Sequence, residues 1–199
     1  AQALGQIPFD IDQLGIDLLT ISSHKIYGPK GIGALILKAN IPILPLQWGG
    51  GQEYGLRPGT LPVPLVIGFV KACELSLNNL DSRQKKTQAL RDQLFQSLIE
   101  NVPELIFNGS LENRLPNNLN FSIPGIRGTQ LYQHLRPLLV CSSGSACNNG
   151  EPSHVLKAIG RTKEESQASL RLSLGRYTTY EEIIQVPKII ADVVSKIKS

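Results

Sequence analysis

Two short apolar runs, joined by a segment rich in glycine and proline, constrain the fold of this chain most strongly. The runs cover residues 17–22 and 33–38, and turn residues bound each of them. That length and those boundaries are typical of buried β-strands. Two helical patterns follow, one beginning at Pro62 and the other carrying leucines at spacing four from Leu90. The first part of the chain therefore predicts a strand pair followed by helices.

Shorter elements follow in the second part of the chain. Predicted strands cover residues 105–108, 118–123, 138–143 and 169–174, and predicted helices cover residues 129–135 and 152–159. A last helix begins with Thr179 and Glu182 in capping-box spacing, and we expect Pro187 to bend it. This alternation predicts a small α/β unit. We therefore assign residues 1–80 and 81–199 to separate domains.

Composition excludes several classes of protein. The net charge is +4 and the basic residues are scattered, which argues against binding to nucleic acid. No apolar run is long enough to cross a bilayer, and the first ten residues lack the pattern of a signal peptide, so we predict a cytoplasmic protein without a membrane partner. The three cysteines, Cys73, Cys141 and Cys147, form no CxxC pair, which predicts no metal site and no disulfide framework.

Lys25 is the first candidate for chemistry. It follows the first apolar run directly, and α/β folds bind their ligands beyond the carboxyl ends of strands. An amine held in such a site can have a lowered pKa and attack a carbonyl group. The commoner role of a loop lysine is to face solvent, and the sequence around Lys25 leaves both roles open.

Cys147 lies in a second candidate segment, "CSSGSAC", which is followed by "NNGEPS". Small polar residues and glycine bury little surface, so the segment predicts a mobile loop with an exposed thiol. Free cysteines are more often small buried apolar residues, and that role suits Cys73 and Cys141 better.

Two further residues could bind anionic groups. The alternation in "SLRLSL" places Arg171 on the face opposite Leu170 and Leu172, where a guanidinium could hold a carboxylate in bidentate fashion. Thr60, in "RPGT", could contact a phosphate. A solvated strand arginine and a turn threonine are the ordinary alternatives.

Four motifs in order, "SSHKIYGPKGIGAL", "GGGQEYGLRPGTLP", "SSGSAC" and "SLRLSLGRYTT", resemble the pyridoxal-phosphate-dependent cysteine desulfurases of the NifS and IscS type. The resemblance runs over essentially the whole chain. It implies a fold-type I transferase, with residues 1–80 as the C-terminal portion of the large cofactor domain and residues 81–199 as the small C-terminal α/β domain. It also implies a homodimer.

The resemblance assigns a role to each candidate residue. Lys25 would hold pyridoxal 5'-phosphate as a Schiff base, Ser22 and His24 would bind its phosphate, and Gln2 would contact its phenolic oxygen. Thr60 would reach the phosphate bound to the other subunit. Arg171 would bind the carboxylate of the L-cysteine substrate. Cys147 would take the sulfur as a persulfide, for transfer to an acceptor such as an iron–sulfur scaffold protein.

The resemblance also implies that the chain is a C-terminal fragment. The family has an aspartate at the pyridine nitrogen and a histidine stacked on the ring, and both precede the segment that matches the first residues here. One alternative is therefore that this chain alone is a non-catalytic module. Another is that the parent protein is a different fold-type I enzyme, such as an aminotransferase or a selenocysteine lyase.

Overall fold

The computed structural model describes residues 1–143 and 153–199. The chain divides into two compact units, Ala1–Ser82 and Arg83–Ser199. The assignment of residues 1–80 to a large cofactor domain, and of residues 81–199 to a small domain, stays a proposal.

The first unit contains a β-hairpin and a helix. Strand β1 (Leu18–Ser22) pairs in antiparallel register with β2 (Gly33–Leu37), as the two apolar runs predict. A single 3₁₀ turn, Ser23–Ile26, follows β1 directly, and we call it the Lys25 turn. Another 3₁₀ turn covers Gln52–Gly55, and helix α1 covers Val63–Leu77. The helix start predicted at Pro62 is confirmed.

The prediction that both strands are buried is wrong. Most residues of β1 and β2 are exposed or only partly buried. The apolar core of this unit is a small cluster centred on Ile26, Phe69 and Ala72, and it covers little of the hairpin. An apolar run predicts a strand from local preference, but its burial depends on the elements that pack on the strand.

The second unit is built around a three-stranded antiparallel sheet in the order β3-β4-β5. Helix α2 begins in the last residues of the first unit and continues into the second. The elements are α2 (Leu80–Asn101), β3 (Ile106–Phe107), β4 (Asn118–Ser122), α3 (Gly128–Leu135), α4 (His154–Ala158), α5 (Lys163–Gln167), β5 (Ser169–Ser173), α6 (Tyr180–Ile183) and α7 (Val186–Lys198).

A single apolar core lies on one side of this sheet. Leu119, Phe121 and Leu170 are fully buried sheet residues, and they pack with apolar residues of α2, α3 and α7. Leu94 and Leu98 of the predicted leucine pattern belong to this core. The helical and strand patterns of the second part of the chain are thus mostly confirmed.

Two details of the second unit differ from the prediction. Residues 138–143 form no strand, because the Leu138 and Leu139 N–H groups donate to the Leu135 carbonyl and so extend the end of α3 as a turn. The single last helix predicted from the sequence is two helices in the structure, α6 and α7. Pro187 lies in the first turn of α7, where its missing N–H costs nothing. The capping box at the start of α6 is confirmed.

Over residues 1–143 and 153–199, no single helix has the length and apolar character needed to cross a membrane. Helices α1 and α2 pass a test of length and composition only when they are taken together as a bent pair, which is weak evidence for a span.

Gly128 lies where α3 begins, against the backbone of β5. A methyl group added to Gly128 would lie 2.2 Å from the Ser169 carbonyl oxygen, and backbone cannot move aside as a side chain can. We expect Gly128→Ala to lower the free energy of unfolding by about 1–3 kcal/mol, as overpacking does. Urea unfolding checks this, with Thr129→Ala on the exposed side of the same helix start as the control. Equal unfolding midpoints for the two variants would contradict it.

Candidate functional site

The Lys25 turn exposes its two candidate cofactor residues because of its three-residue period. Ser23 and Ile26 are three positions apart and lie on the buried side of the turn. His24 and Lys25 lie between them and face outward. Since residues i and i+3 of a 3₁₀ helix share one face, burial of the first pair fixes the exposure of the second.

Backbone hydrogen bonds close both ends of the Lys25 turn. The Ser23 N–H donates to the Ile32 carbonyl at 3.1 Å, and the Gly28 N–H donates to the Ser23 carbonyl at 3.0 Å. Tyr27 ends the turn in the left-handed region, with φ of 68°. The chain that carries Lys25 is therefore held between β1 and the segment leading to β2.

Ser22, His24 and Lys25 form a compact group of donors at the end of β1. Ser22 pairs with Gly33, which has no side chain to cover the serine hydroxyl. None of the three side chains forms a hydrogen bond or ion pair with another described residue. The group is therefore available to an external ligand.

Gln2 and Thr60 belong to the same unit, but no hydrogen bond or ion pair between described residues joins them to the Lys25 turn. Both residues are exposed. Thr60 follows a loop in which Glu53 and Tyr54 adopt left-handed backbone, and the Gly59 N–H donates to Gln52 Oε1 at 3.1 Å. The structure thus brings together three of the five predicted cofactor residues.

Arg171 lies in β5 between two buried leucines, as the alternation predicts. Its backbone pairs with Asn120 of β4 on one side and with Ser142 on the other. The Arg171 Nε atom is buried and finds no hydrogen-bond partner among residues 1–143 and 153–199. A buried donor without a partner costs free energy, so this guanidinium is suited to an anionic ligand.

Ser142 ties the segment that leads toward Cys147 to the strand of Arg171. The Ser142 N–H donates to the Arg171 carbonyl at 3.0 Å, and the Arg171 N–H donates to the Ser142 carbonyl at 2.6 Å. Cys147 itself lies outside the described residues. The chain therefore passes directly beside Arg171 at Ser142, five residues before Cys147 in the sequence.

The other two cysteines are poorly suited to act as nucleophiles. Cys73 and Cys141 are partly buried, and burial raises the pKa of both thiols. Since the thiolate is the reactive form, a raised pKa lowers the reactive fraction of each at neutral pH. His134 and His154, to which the sequence assigns no role, are exposed helix residues.

Comparison with known proteins identifies the family. The "aminotransferase class-V" family matches residues 1–186 of the chain. The chain is a member of the class-V aminotransferase family. This confirms the family-level prediction of the sequence, and with it the α/β architecture of fold-type I pyridoxal-phosphate-dependent transferases.

The most informative relatives of this class-V chain are named cysteine desulfurases. It is 41% identical over 202 residues to cysteine desulfurase IscS of Rickettsia typhi, covering 100% of this chain and 49% of the relative. It is 41% identical over 187 residues to human cysteine desulfurase, covering 92% of this chain and 41% of the relative. The chain thus spans about half the length of the curated relatives it matches.

A solved structure shows the same fold. The NifS-like protein from Rickettsia africae matches with a TM-score of 0.87 at 31% identity, covering 98% of this class-V chain and 52% of that chain. A relative in Dictyostelium discoideum is named a probable mitochondrial cysteine desulfurase. One relative is therefore named for a compartment other than the cytoplasm, and the cytoplasmic location of this chain stays a prediction.

The residues of the Lys25 turn fit the cofactor of this family. Pyridoxal phosphate needs an amine for its aldehyde and several donors for its phosphate. Lys25 offers an exposed amine without an ion pair in the described chain, and Ser22 and His24 offer a hydroxyl and an imidazole beside it. The donor set at the end of β1 is therefore compatible with this cofactor.

Proposed function

We propose that the complete protein is a cysteine desulfurase, which removes sulfur from L-cysteine to give L-alanine and an enzyme-bound persulfide. The observation that carries the proposal is similarity over the whole chain to proteins named cysteine desulfurase. The exposed amine of the Lys25 turn and the unpartnered Arg171 Nε supply groups that this reaction needs. The persulfide sulfur would serve iron–sulfur cluster assembly.

In this proposal five residues hold pyridoxal 5'-phosphate. Lys25 binds it covalently, Ser22 and His24 donate to its phosphate, and Gln2 contacts its phenolic oxygen. Thr60 contacts the phosphate held by the other subunit of a homodimer. When bound, the cofactor supplies an electron sink that stabilises negative charge at the α-carbon of the substrate.

Arg171 positions the substrate by its carboxylate. A guanidinium presents parallel N–H groups that match the two oxygens of a carboxylate, which fixes the orientation of the bound cysteine. Two backbone hydrogen bonds to Ser142 hold Arg171 on one side, and Asn120 of β4 lies opposite it on the other side, so the side chain starts from a fixed point. The buried Nε would gain the acceptor that it lacks.

Cys147 receives the sulfur. Its thiolate attacks the sulfur of L-cysteine, the carbon–sulfur bond of the substrate breaks, and a sulfur–sulfur bond forms. The α-amino acid product leaves as L-alanine after gaining a proton. The persulfide sulfur then passes to an acceptor protein, such as an iron–sulfur scaffold. The proposal includes a homodimer and no nucleic-acid or membrane partner, and places the reaction in the cytoplasm.

A product assay tests the proposal against other fold-type I reactions. The full-length protein, with pyridoxal phosphate, L-cysteine and a thiol reductant, should release alanine and sulfide in equal amounts. A keto acid formed without sulfide would identify an aminotransferase instead. Sulfur release from L-cysteine far slower than selenium release from L-selenocysteine would favour a selenocysteine lyase.

Arg171→Ala should raise the KM for L-cysteine and leave the affinity for pyridoxal phosphate unchanged. Hydrogen bonds to a charged group contribute about 1.5–3 kcal/mol, which corresponds to a KM increase of about 10-fold to 150-fold. Arg171→Lys should raise the KM for L-cysteine less than Arg171→Ala does, because lysine keeps the positive charge but not the bidentate geometry. Steady-state kinetics decides the point, and an unchanged KM in Arg171→Ala would remove Arg171 from the substrate site.

A further inference from the structure

Three small residues of α1 contact the segments that carry the candidate cofactor residues. Gly68, Ala72 and Ser76 follow each other at spacing four, so they share one face of the helix. A methyl group added to Gly68 would lie 3.1 Å from Pro29 Cγ. A methyl group added to Gly5 would lie 2.9 Å from Ser76 Cβ. Both distances are shorter than ordinary contacts, so little space remains on this face.

The contact between Gly28 and Ala72 is the tightest of the three. A methyl group added to Gly28 would lie 2.2 Å from Ser23 Oγ and 2.8 Å from Ala72 Cβ. Gly28 also closes the Lys25 turn through its N–H bond to the Ser23 carbonyl. Any atom added between Gly28 and Ala72 must therefore move the Lys25 turn or α1.

The Lys25 turn is the part that can move. Ala72 is 6% exposed and belongs with Phe69 to the small apolar core, which also includes Ile26 of the turn. The helix is held by its own backbone hydrogen bonds over four turns, whereas the Lys25 turn has four residues and two closing bonds. Lys25 lies between the two anchors Ser23 and Ile26, so a shift of the anchors displaces its amine.

We propose that Gly28 and Ala72 are positioning residues that set the location of the Lys25 amine through this contact. The inference rests on the proposed role of Lys25 in holding pyridoxal phosphate. Neither residue touches the cofactor in this proposal. They act by placing the α1 face and the Lys25 turn at a separation that allows no additional carbon atom.

The test compares Gly28→Ala with a variant in which the contact is opened again. Gly28→Ala should weaken binding of pyridoxal phosphate by at least about tenfold, because a displacement near 1 Å is costly for a positioned reactive group. Adding Ser23→Ala and Ala72→Gly removes the two nearest atoms, and this triple variant should recover most of the affinity. The measurement is the dissociation constant of pyridoxal phosphate, from titration of the full-length apoprotein.

A matched control separates positioning from general instability. Gly128→Ala places its added methyl group 2.2 Å from a neighbouring atom, the same distance as in Gly28→Ala. Gly128 belongs to the second unit, whereas the Lys25 turn belongs to the first. It should lower the thermal midpoint of the apoprotein and leave the dissociation constant of pyridoxal phosphate unchanged. If Gly128→Ala weakens binding of pyridoxal phosphate as much as Gly28→Ala does, the effect comes from general instability and the inference is overturned.

Two further outcomes are decisive. An unchanged dissociation constant of pyridoxal phosphate in Gly28→Ala overturns the positioning role. A folded triple variant that recovers none of the lost affinity overturns it as well. If Gly28→Ala does not fold, Ala72→Ser carries the test, because it adds one oxygen atom at the same contact and should weaken binding. Lys25→Ala distinguishes failure of the proposed function from failure of the positioning role. If this variant keeps a covalent cofactor, the proposed function fails. If this variant loses the covalent cofactor while Gly28→Ala binds pyridoxal phosphate normally, only the positioning role fails.

Discussion

Replacing Cys147 with serine should abolish sulfur transfer from L-cysteine while pyridoxal phosphate remains bound. A serine hydroxyl stays protonated at neutral pH and is a far weaker nucleophile for sulfur than a thiolate. We expect a loss of at least about a thousandfold in sulfide release, on the scale of removing other catalytic nucleophiles. Sulfide assay and the visible absorbance of the bound cofactor measure the two properties separately.

Cys73→Ser and Cys141→Ser are the matched controls for this prediction. Burial raises the pKa of both thiols, so neither is expected to carry sulfur at neutral pH. Both variants should keep sulfide release close to that of the unmodified protein. Sulfide release that persists in Cys147→Ser, or that disappears in Cys141→Ser, would contradict the assignment of the persulfide to Cys147.

Lys25→Ala should remove the covalent link between the protein and pyridoxal phosphate and with it the turnover of L-cysteine. Lys25 supplies the only exposed amine of the Lys25 turn, and it has no ion pair in the described chain that would engage it. Borohydride reduction followed by mass spectrometry of peptides measures the link directly. The cofactor mass should appear on the peptide with Lys25 and be absent in the variant.

Lys30→Ala is the control for Lys25→Ala. Lys30 is an exposed lysine of the same connection between β1 and β2, and it has no assigned role. Its replacement should leave the cofactor mass on the Lys25 peptide. A covalent cofactor that survives in Lys25→Ala, or that is found on Lys30, would refute the proposed attachment site.

Local sequence patterns predicted most elements because these elements follow local rules. The runs before Lys25 and after Ile32 became a hairpin, and the capping box at Thr179 began a helix. The capping box of α5, formed by Thr162 and Glu165, has the same spacing and begins a helix outside the predicted elements. Residues 138–143 are apolar enough for a strand, but the turn after α3 engages the Leu138 and Leu139 N–H groups, and only Ser142 pairs with β5.

The candidate site was predictable only in part. The adjacency of Ser22, His24 and Lys25 is a property of the sequence, and their roles come from the family resemblance. The contact between Gly28 and Ala72 could not be foreseen, because residues 44 positions apart meet only in the folded unit. The roles of Gln2, Thr60 and Cys147 in this site stay predictions.

The paired backbone bonds between Ser142 and Arg171 also bear on how this protein can vary. Main-chain groups make both of these bonds, so nearly any amino acid at position 142 preserves them, with proline as the exception that lacks the N–H. Replacements at position 142 other than proline should therefore leave this backbone attachment to the arginine intact.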